Sequence, residues 1–260
     1  MKQLLFGSLA LLSSLSCAAQ TMSGLCMIAA SQAEDKPPAM QMMLSESNCD
    51  KTNGNCMEMS RSNIEWNRWS GISPQSLQEE GSQVSAHMTG DAGDFVCEGV
   101  VHDATLAGRF RFNANPSFPA SMAAIGFDGI TPRKQLSLLM LDVNMAWAKQ
   151  MQSLGVTELS TNKLISLRAL HVDADYIHAM AAAGYPELRA NKLTEMKAVG
   201  VTPEKAREAK AMGFEPTEQE LIQMSIFKID KPFVDRMRAR GLNDLTLAKL
   251  IKIKIFKLEE

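Results

Sequence analysis

No H-E-x-x-H helix, Walker-type phosphate loop, G-x-S-x-G elbow or dinucleotide fingerprint occurs in the chain, which removes the familiar metallopeptidase, NTPase, hydrolase and dehydrogenase constellations. Histidine is scarce. The 4 present are His87, His102, His171 and His178. The charge lacks any strong excess: a net charge of -2 and a pI near 6.1 give no basic face of the kind that dense phosphate requires, so a nucleic-acid partner is not expected. Long hydrophobic runs are missing too. The longest apolar stretch, Leu4 to Leu15, is too short to span a bilayer comfortably, and Gln20 and Thr21 interrupt any extension toward Ile28.

That short apolar run follows Met1-Lys2 and precedes the small residues Ser16-Cys17-Ala18-Ala19, the order of a secretory signal cleaved near Ala19. The expected location is therefore periplasmic or secreted, and no stable membrane span is expected after cleavage. An uncleaved N-terminal anchor and lipidation at Cys17 are the weaker alternatives, because Ser14 stands where a lipoprotein signal normally has leucine. Cleavage after Ala33, within Ser31-Gln32-Ala33, is a further alternative. Removal of residues 1–19 leaves Cys26, Cys49, Cys56 and Cys97, an even number in an oxidising compartment, which permits two disulfides in three pairings. Cys49 is the expected partner of Cys56 or Cys97, with Cys26 left in a mobile segment.

Residues 20–55 are rich in Ser, Gln, Asn and Met, contain Pro37-Pro38 and hold no sustained period of 2 or 3.6, as a mobile leader would. Met40, Met42, Met43, Met57 and Met59 gather around Cys49 and Cys56, a soft-ligand set that suits copper(I). Adaptable packing is the commoner use of methionine, of which the chain has 18. Residues 56–115 change to a period of 2. Val84 to Met88, Phe95 to Val101 and Leu106 to Phe112 alternate between glycine- and aspartate-rich breaks, which predicts an antiparallel β-meander with Phe110 and Phe112 inward and Arg109 and Arg111 outward. Cys56 to Met59 is a further strand. Trp66 and Trp69 are read as core or lid packing, with a sugar-stacking platform as the alternative.

From 116 to 257 a pattern of about 29 residues is written four times, with a partial copy ahead of it. Each copy carries a glycine, Gly126, Gly155, Gly184, Gly213 or Gly241, at spacings of 29, 29, 29 and 28 by subtraction. In each full copy a cap (Asn144, Asp173, Thr202, Asp230) starts a first helix that the glycine stops, and staples such as Val172 with Ile177 fix its entry. A second helix follows, capped by Ser160, Thr217 and Thr246 where a cap is evident. The missing residue in the third copy falls at the turn around Glu215-Pro216. In the last copy Ile251-Lys252-Ile253-Lys254-Ile255 alternates like a strand, whereas its place in the pattern demands a helix. Helices of about ten residues do not stand alone in water, so neighbouring copies are expected to bury each other's apolar stripes. The expected fold is α+β: a small β-meander followed by an α-solenoid-like stack of short helix pairs, four full repeats plus one partial.

The segments "LRALHVDADYIHAMAAAGYPEL" and "MKAVGVTPEKAREAKAMGF" resemble the "GVTPEYV"-type repeats of uncharacterised bacterial exported proteins, which are also found appended to sensor metallopeptidases of the BlaR type. "GDAGDFVCEGVVHDATLAGRFRFNANPSF" is similar to the strand segment that often precedes them, and together the resemblance runs from Val84 to Phe256. It implies architecture. The peptidase activity of the BlaR type does not carry over, since the zinc-binding H-E-x-x-H motif is absent.

His171, Asp173, Asp175 and His178 are the densest ligand-type cluster, but capping accounts for Asp173, the helix dipole for Asp175, and His178 falls off the face of Asp175. Asp94 and Glu98 flank Cys97 with the look of solvated strand residues. No catalytic residue, cofactor or metal site is expected. The leading reading is an exported, non-catalytic protein whose helices present a surface to a peptide or protein partner, with Lys149, His178, Arg207 and Asp235, which differ between copies, as candidate contacts. The alternatives are a sensor-type ectodomain beside a membrane regulator, and copper handling by residues 20–55.

Overall fold

The structure, a computed structural model, describes residues 21–31, 39–47, 56–242 and 244–258. Six antiparallel strands come first: β1 (Thr21–Ser31), β2 (Ala39–Glu46), β3 (Glu58–Ile64), β4 (Gln83–Gly90), β5 (Gly93–His102) and β6 (Thr105–Ala114). They form one sheet in the order β3-β2-β1-β6-β5-β4. Ten helices follow among the described residues: α1 (Phe118–Ala123), α2 (Pro132–Met140), α3 (Met145–Ser153), α4 (Thr161–Ala169), α5 (Ala174–Ala182), α6 (Ala190–Ala198), α7 (Pro203–Ala211), α8 (Glu218–Phe227), α9 (Lys231–Ala239) and α10 (Leu247–Ile255). The fold is α+β.

The meander expected over 56–115 supplies four of the six strands, β3 to β6. β4, β5 and β6 lie where alternation places them, with Phe110 and Phe112 buried and Arg109 and Arg111 exposed. The remaining two, β1 and β2, come from the stretch expected to be a mobile leader, and for its described residues that expectation is corrected: β1 runs between β2 and β6. The reason it escapes a periodicity reading is chemical. Met22, Cys26 and Ile28 point into the core, but Leu25 and Met27, 55% and 48% exposed, make the outer face apolar as well. Hydrophobic alternation therefore vanishes from the sequence while the backbone alternation persists.

The sheet is strongly curled. Ser70, in the chain that leaves edge strand β3, exchanges two backbone hydrogen bonds of 3.0 and 2.9 Å with His87 of the opposite edge strand β4. Cys26 and Cys97 form a disulfide across the intervening β6, with Cα atoms 6.2 Å apart. In a flat sheet alternate strands stand about 9.6 Å apart, so this closeness requires the bend. Gly108 of β6 pairs with Cys26 on one side and Gly99 on the other. A Cβ on Gly108 would meet the Glu98 carbonyl oxygen at 2.0 Å and Gly99 Cα at 2.7 Å. Only a bare backbone fits there.

Inside the curl, Phe95 stacks on Phe110 at 5.6 Å and receives the edge of Trp69 at 5.8 Å. Trp69 is buried and Trp66 half-buried against the core. α2 closes the inner face near β5 and β6 with Leu136, Leu138, Leu139 and Met140. Its buried Gln135 donates through Nε2 to the carbonyls of Ala92 at 3.1 Å and Asn115 at 2.7 Å, which satisfies a polar group that burial would otherwise penalise. A single cluster of buried side chains runs from Met22 of β1 to Ile251 of α10.

The helices follow local rules. Asn144, Asp173, Thr202 and Asp230 each accept the backbone N–H three residues on, as do Ser160, Thr217 and Thr246. Glu220 returns its carboxylate to the Thr217 N–H at 2.9 Å, completing a capping box. The strand-like Ile251 to Ile255 run is helical in α10: Leu247, Leu250 and Ile251 are buried whereas Ile255 is 50% exposed. α4 packs on α6, α6 on α8, α8 on α10, and α5 on α7.

Candidate functional site

Lys149, His178, Arg207 and Asp235 sit at one equivalent position on α3, α5, α7 and α9, six residues before Gly155, Gly184, Gly213 and Gly241 by subtraction. All four are exposed. The residues just before them, Trp147 and Ala148, Tyr176 and Ile177, Ala206, and Phe233 and Val234, are buried. Each helix thus commits its apolar stripe to its neighbours and leaves the same edge in solvent. Two of the four are tied by surface ion pairs: Arg207 Nη2 donates to Glu204 Oε1 at 2.6 Å, and Asp235 accepts from Lys231 Nζ at 2.5 Å with Arg238 at 3.8 Å.

The glycines form no ligand cradle. Gly126, Gly155, Gly184, Gly213 and Gly241 take left-handed φ values of 91°, 77°, 98°, 90° and 87° immediately after α1, α3, α5, α7 and α9. The residue after four of them donates back into the last helical turn, as Tyr185 N–H does to the Met180 carbonyl at 3.0 Å and Phe214 N–H to that of Ala209 at 3.2 Å. A second set of stops follows the even-numbered helices at Asp142, His171, Gly200, Lys228 and Lys257, with φ values of 57°, 54°, 72°, 53° and 52°. Sequence reasoning misses these because four of the five are not glycine. Their signal is the register: each precedes a buried aliphatic residue or Leu258, and each stands about 29 residues from the next.

Asp142 is held by two arginines. Arg168 donates through Nη2 to its Oδ2 at 3.0 Å, and Arg68 lies 3.7 Å from its Oδ1. Arg68 also donates to the carbonyls of Met140 at 2.9 Å and Leu139 at 2.7 Å, so an arginine beyond β3 satisfies the end of α2. Burial and the neighbouring Arg168 lower the Arg68 pKa, while Asp142 opposes them. These contacts tie the segment after β3 to the ends of α2 and α4.

The described members of the copper-type ligand set do not share one face. Met40 and Met42 point into the core, Met43 lies on the opposite face of β2 at 58% exposure, and Met57 and Met59 are half-buried. Cys26, Cys56 and Cys97 are all disulfide-bonded, so none of them offers a thiolate. The expected pairing of Cys49 with Cys97 is corrected by the Cys26–Cys97 bond, because β1 lies in the sheet and not in a mobile tail. Cys49 itself falls outside the described residues.

Among the described residues one group could bring three metal-type ligand atoms together, all exposed: Glu80, from the chain before β4, with His102 and Asp103 of the β5–β6 turn. They already bond one another. His102 Nδ1 lies 2.6 Å from Glu80 Oε1, and the Asp103 N–H donates to Glu80 Oε2 at 3.1 Å. The hydrogen bond to Glu80 raises the His102 pKa, and the same bond lowers that of Glu80. His171 and His178 are exposed, and Asp173 is spent on capping α5. Glu98 lies 3.8 Å from Arg111 on the exposed face of the sheet.

The sequence did not announce a cavity among the helices. This cavity opens between α7, α8 and the start of α9, with Lys205, Leu221, Met224 and Ile229 in its wall. Among the described residues no helix is long and apolar enough to cross a membrane. No family model, curated protein or solved structure matches the chain.

Proposed function

We propose that the chain is an exported, non-catalytic interaction protein whose helix pairs stack as a solenoid and present one face to a peptide or protein partner. The observation that carries this reading is the shared exposure of Lys149, His178, Arg207 and Asp235 at one helical position, beside residues that are buried in every copy. A stack built this way holds its framework constant and leaves a row of positions free to differ, which is how repeat proteins diversify a binding surface. The mixture of two fixed cations, a histidine and an acid supports a polar partner surface over a purely apolar one. Export is supported by the Cys26–Cys97 disulfide, which persists in an oxidising compartment.

The test is cross-linking and pull-down of the mature protein against the envelope proteome, with the variant K149E/R207E beside it. The expected result is a specific partner whose retention falls at least tenfold in the double variant. No partner above background, or equal retention by both proteins, removes the reading.

A further inference from the structure

Three of the four full copies share an aromatic device. Trp147, Tyr176 and Phe233 occupy the third residue of α3, α5 and α9, each donating its N–H to the helix cap, and they are 8%, 7% and 0% exposed. A cation lies over each ring from the next even-numbered helix. Arg168 stands 5.3 Å from the Trp147 centroid, Lys197 4.3 Å from Tyr176 and Lys254 4.2 Å from Phe233, in every case 21 residues further along by subtraction. The ring fills the space between helices and the cation covers it.

The third copy breaks the rule at both ends. Lys205 takes the ring's place, confirmed by its N–H bond to the Thr202 cap, and Ser225 takes the cation's place, at the same distance beyond the Thr217 cap as Arg168, Lys197 and Lys254 stand beyond Ser160, Arg189 and Thr246. The cavity lies where the ring is missing. It measures about 190 Å³, and Leu221, Met224 and Ile229 supply apolar wall. An apolar cavity of about 150 Å³ is enough to hold a benzene ring. The lining also carries charge, from Lys205, Glu208, Lys228 and Asp230; the Lys205 ammonium donates to the Gly200 carbonyl just beyond α6 at 2.7 Å and contacts Ser225 Oγ of α8 at 3.4 Å.

The intact copies also say how an occupant would be oriented. Tyr176 donates its hydroxyl to the Val201 carbonyl, the residue before the next copy's cap, at 3.0 Å. Its counterpart at the broken site is Ile229, which lines the cavity. Lys228, at the left-handed stop after α8, lies beside it in the lining.

We propose that this cavity is a receptor for one aromatic side chain, tyrosine in preference to phenylalanine, presented by a partner peptide. The inference rests on the interaction reading above. The partner completes the repeat: its ring enters between α7 and α8, and its hydroxyl meets the Ile229 carbonyl beside Lys228.

The test is titration of the full mature chain with N-acetyl-tyrosinamide, followed by amide NMR, with N-acetyl-alaninamide as control. Saturable shifts are expected at Val201, Ser225 and Ile229 with the tyrosine probe alone. K205Y supplies the protein's own ring, so its thermal midpoint should rise and its affinity for the probe fall at least tenfold. K205A, which leaves the cavity open, should bind as well as the wild type, and it preserves the test if K205Y folds poorly. Equal binding by K205Y and wild type, no saturable shift in wild type and K205A, or the same response to the alanine probe overturns the proposal. A partner recovered equally by wild type and K205Y overturns the aromatic receptor and leaves the interaction reading standing. Probe binding at the cavity with no partner recovered from the envelope removes the interaction reading alone.

Discussion

Cys26 and Cys97, 71 residues apart in sequence, are joined over the backbone of Gly108, a strand that lies between their own. The bond holds the curl of the sheet and fastens β1 to the opposite half. Cross-linking a loop of that length removes unfolded-state entropy worth about 4 kcal/mol. The paired variant C26S/C97S should therefore lose about 4 kcal/mol in denaturant unfolding with its fold retained at low temperature. A loss within 1 kcal/mol of zero would show that the bend is held by strand pairing alone.

The same bond bears on export. Signal cleavage near Ala19 leaves β1 whole, whereas cleavage after Ala33 removes it together with Cys26. If the chain is exported as proposed, N-terminal sequencing of the mature protein should show a start near Gln20. A start at Glu34 would contradict the role given to β1.

Tyr176 and Tyr185 are the chain's 2 tyrosines, and both donate to backbone carbonyls, of Val201 and Pro216. Burial pushes each phenol up to about 12, with Glu215, Glu218 and Glu220 adding repulsion at Tyr185. A raised pKa means that the folded state keeps protons which the unfolded chain releases at about 10, so stability falls as pH rises from about 10 to 12. Ultraviolet titration of the native protein should show little phenolate at pH 10.5. Tyr176→Phe should cost about 1 kcal/mol through the lost hydrogen bond, and half-ionisation of both tyrosines near pH 10 would refute the assignment.

His171 sits at φ 54°, in the left-handed place that Gly200 fills one copy later. A side chain there is strained against its own carbonyl by about 1 kcal/mol. His171→Gly should raise stability by roughly that amount, and Gly200→His should lower it by a similar one. Calorimetry of the two variants checks the pair, and a destabilising His171→Gly would mean that its side chain makes a contact worth more than the strain.

His102 and Glu80 form an exposed pair that titrates in opposite directions. The histidine, raised by its bond to Glu80, contributes fully below the ordinary histidine value, and its contribution is lost as pH climbs through the raised one. Glu80, lowered by the same bond, contributes above the ordinary glutamate value and loses that as pH falls through its lowered one. An NMR titration should place His102 above free histidine, and Glu80→Gln should bring it back. An unchanged His102 titration in that variant would dissolve the pair.

The helices were legible because their determinants are local. A cap such as Asp173 meets the Tyr176 N–H three residues away, and a staple such as Val172 with Ile177 lies within one turn and a half, so short-range chemistry alone places α5. The same holds for β4 to β6, where Phe110 inside and Arg111 outside leave a period of 2 on the page. α10 is a helix despite the local strand signature of Ile251 to Ile255, with Leu247, Leu250 and Ile251 buried together.

Tertiary structure decided the rest, where the controlling contacts are distant in sequence. β1 is a strand because β2 and β6 hydrogen-bond both of its edges, and its apolar outer face hides that from any single-strand pattern. Cys26 finds Cys97 only once the sheet bends over Gly108. Asp142, His171 and Lys228 end helices without glycine, because burial of the following Val143, Val172 and Ile229 outweighs local strain. The cavity beside Lys205 exists only in three dimensions: the sequence records a lysine where its equivalents are Trp147, Tyr176 and Phe233, and the packing of α7 against α8 and α9 turns that substitution into empty space.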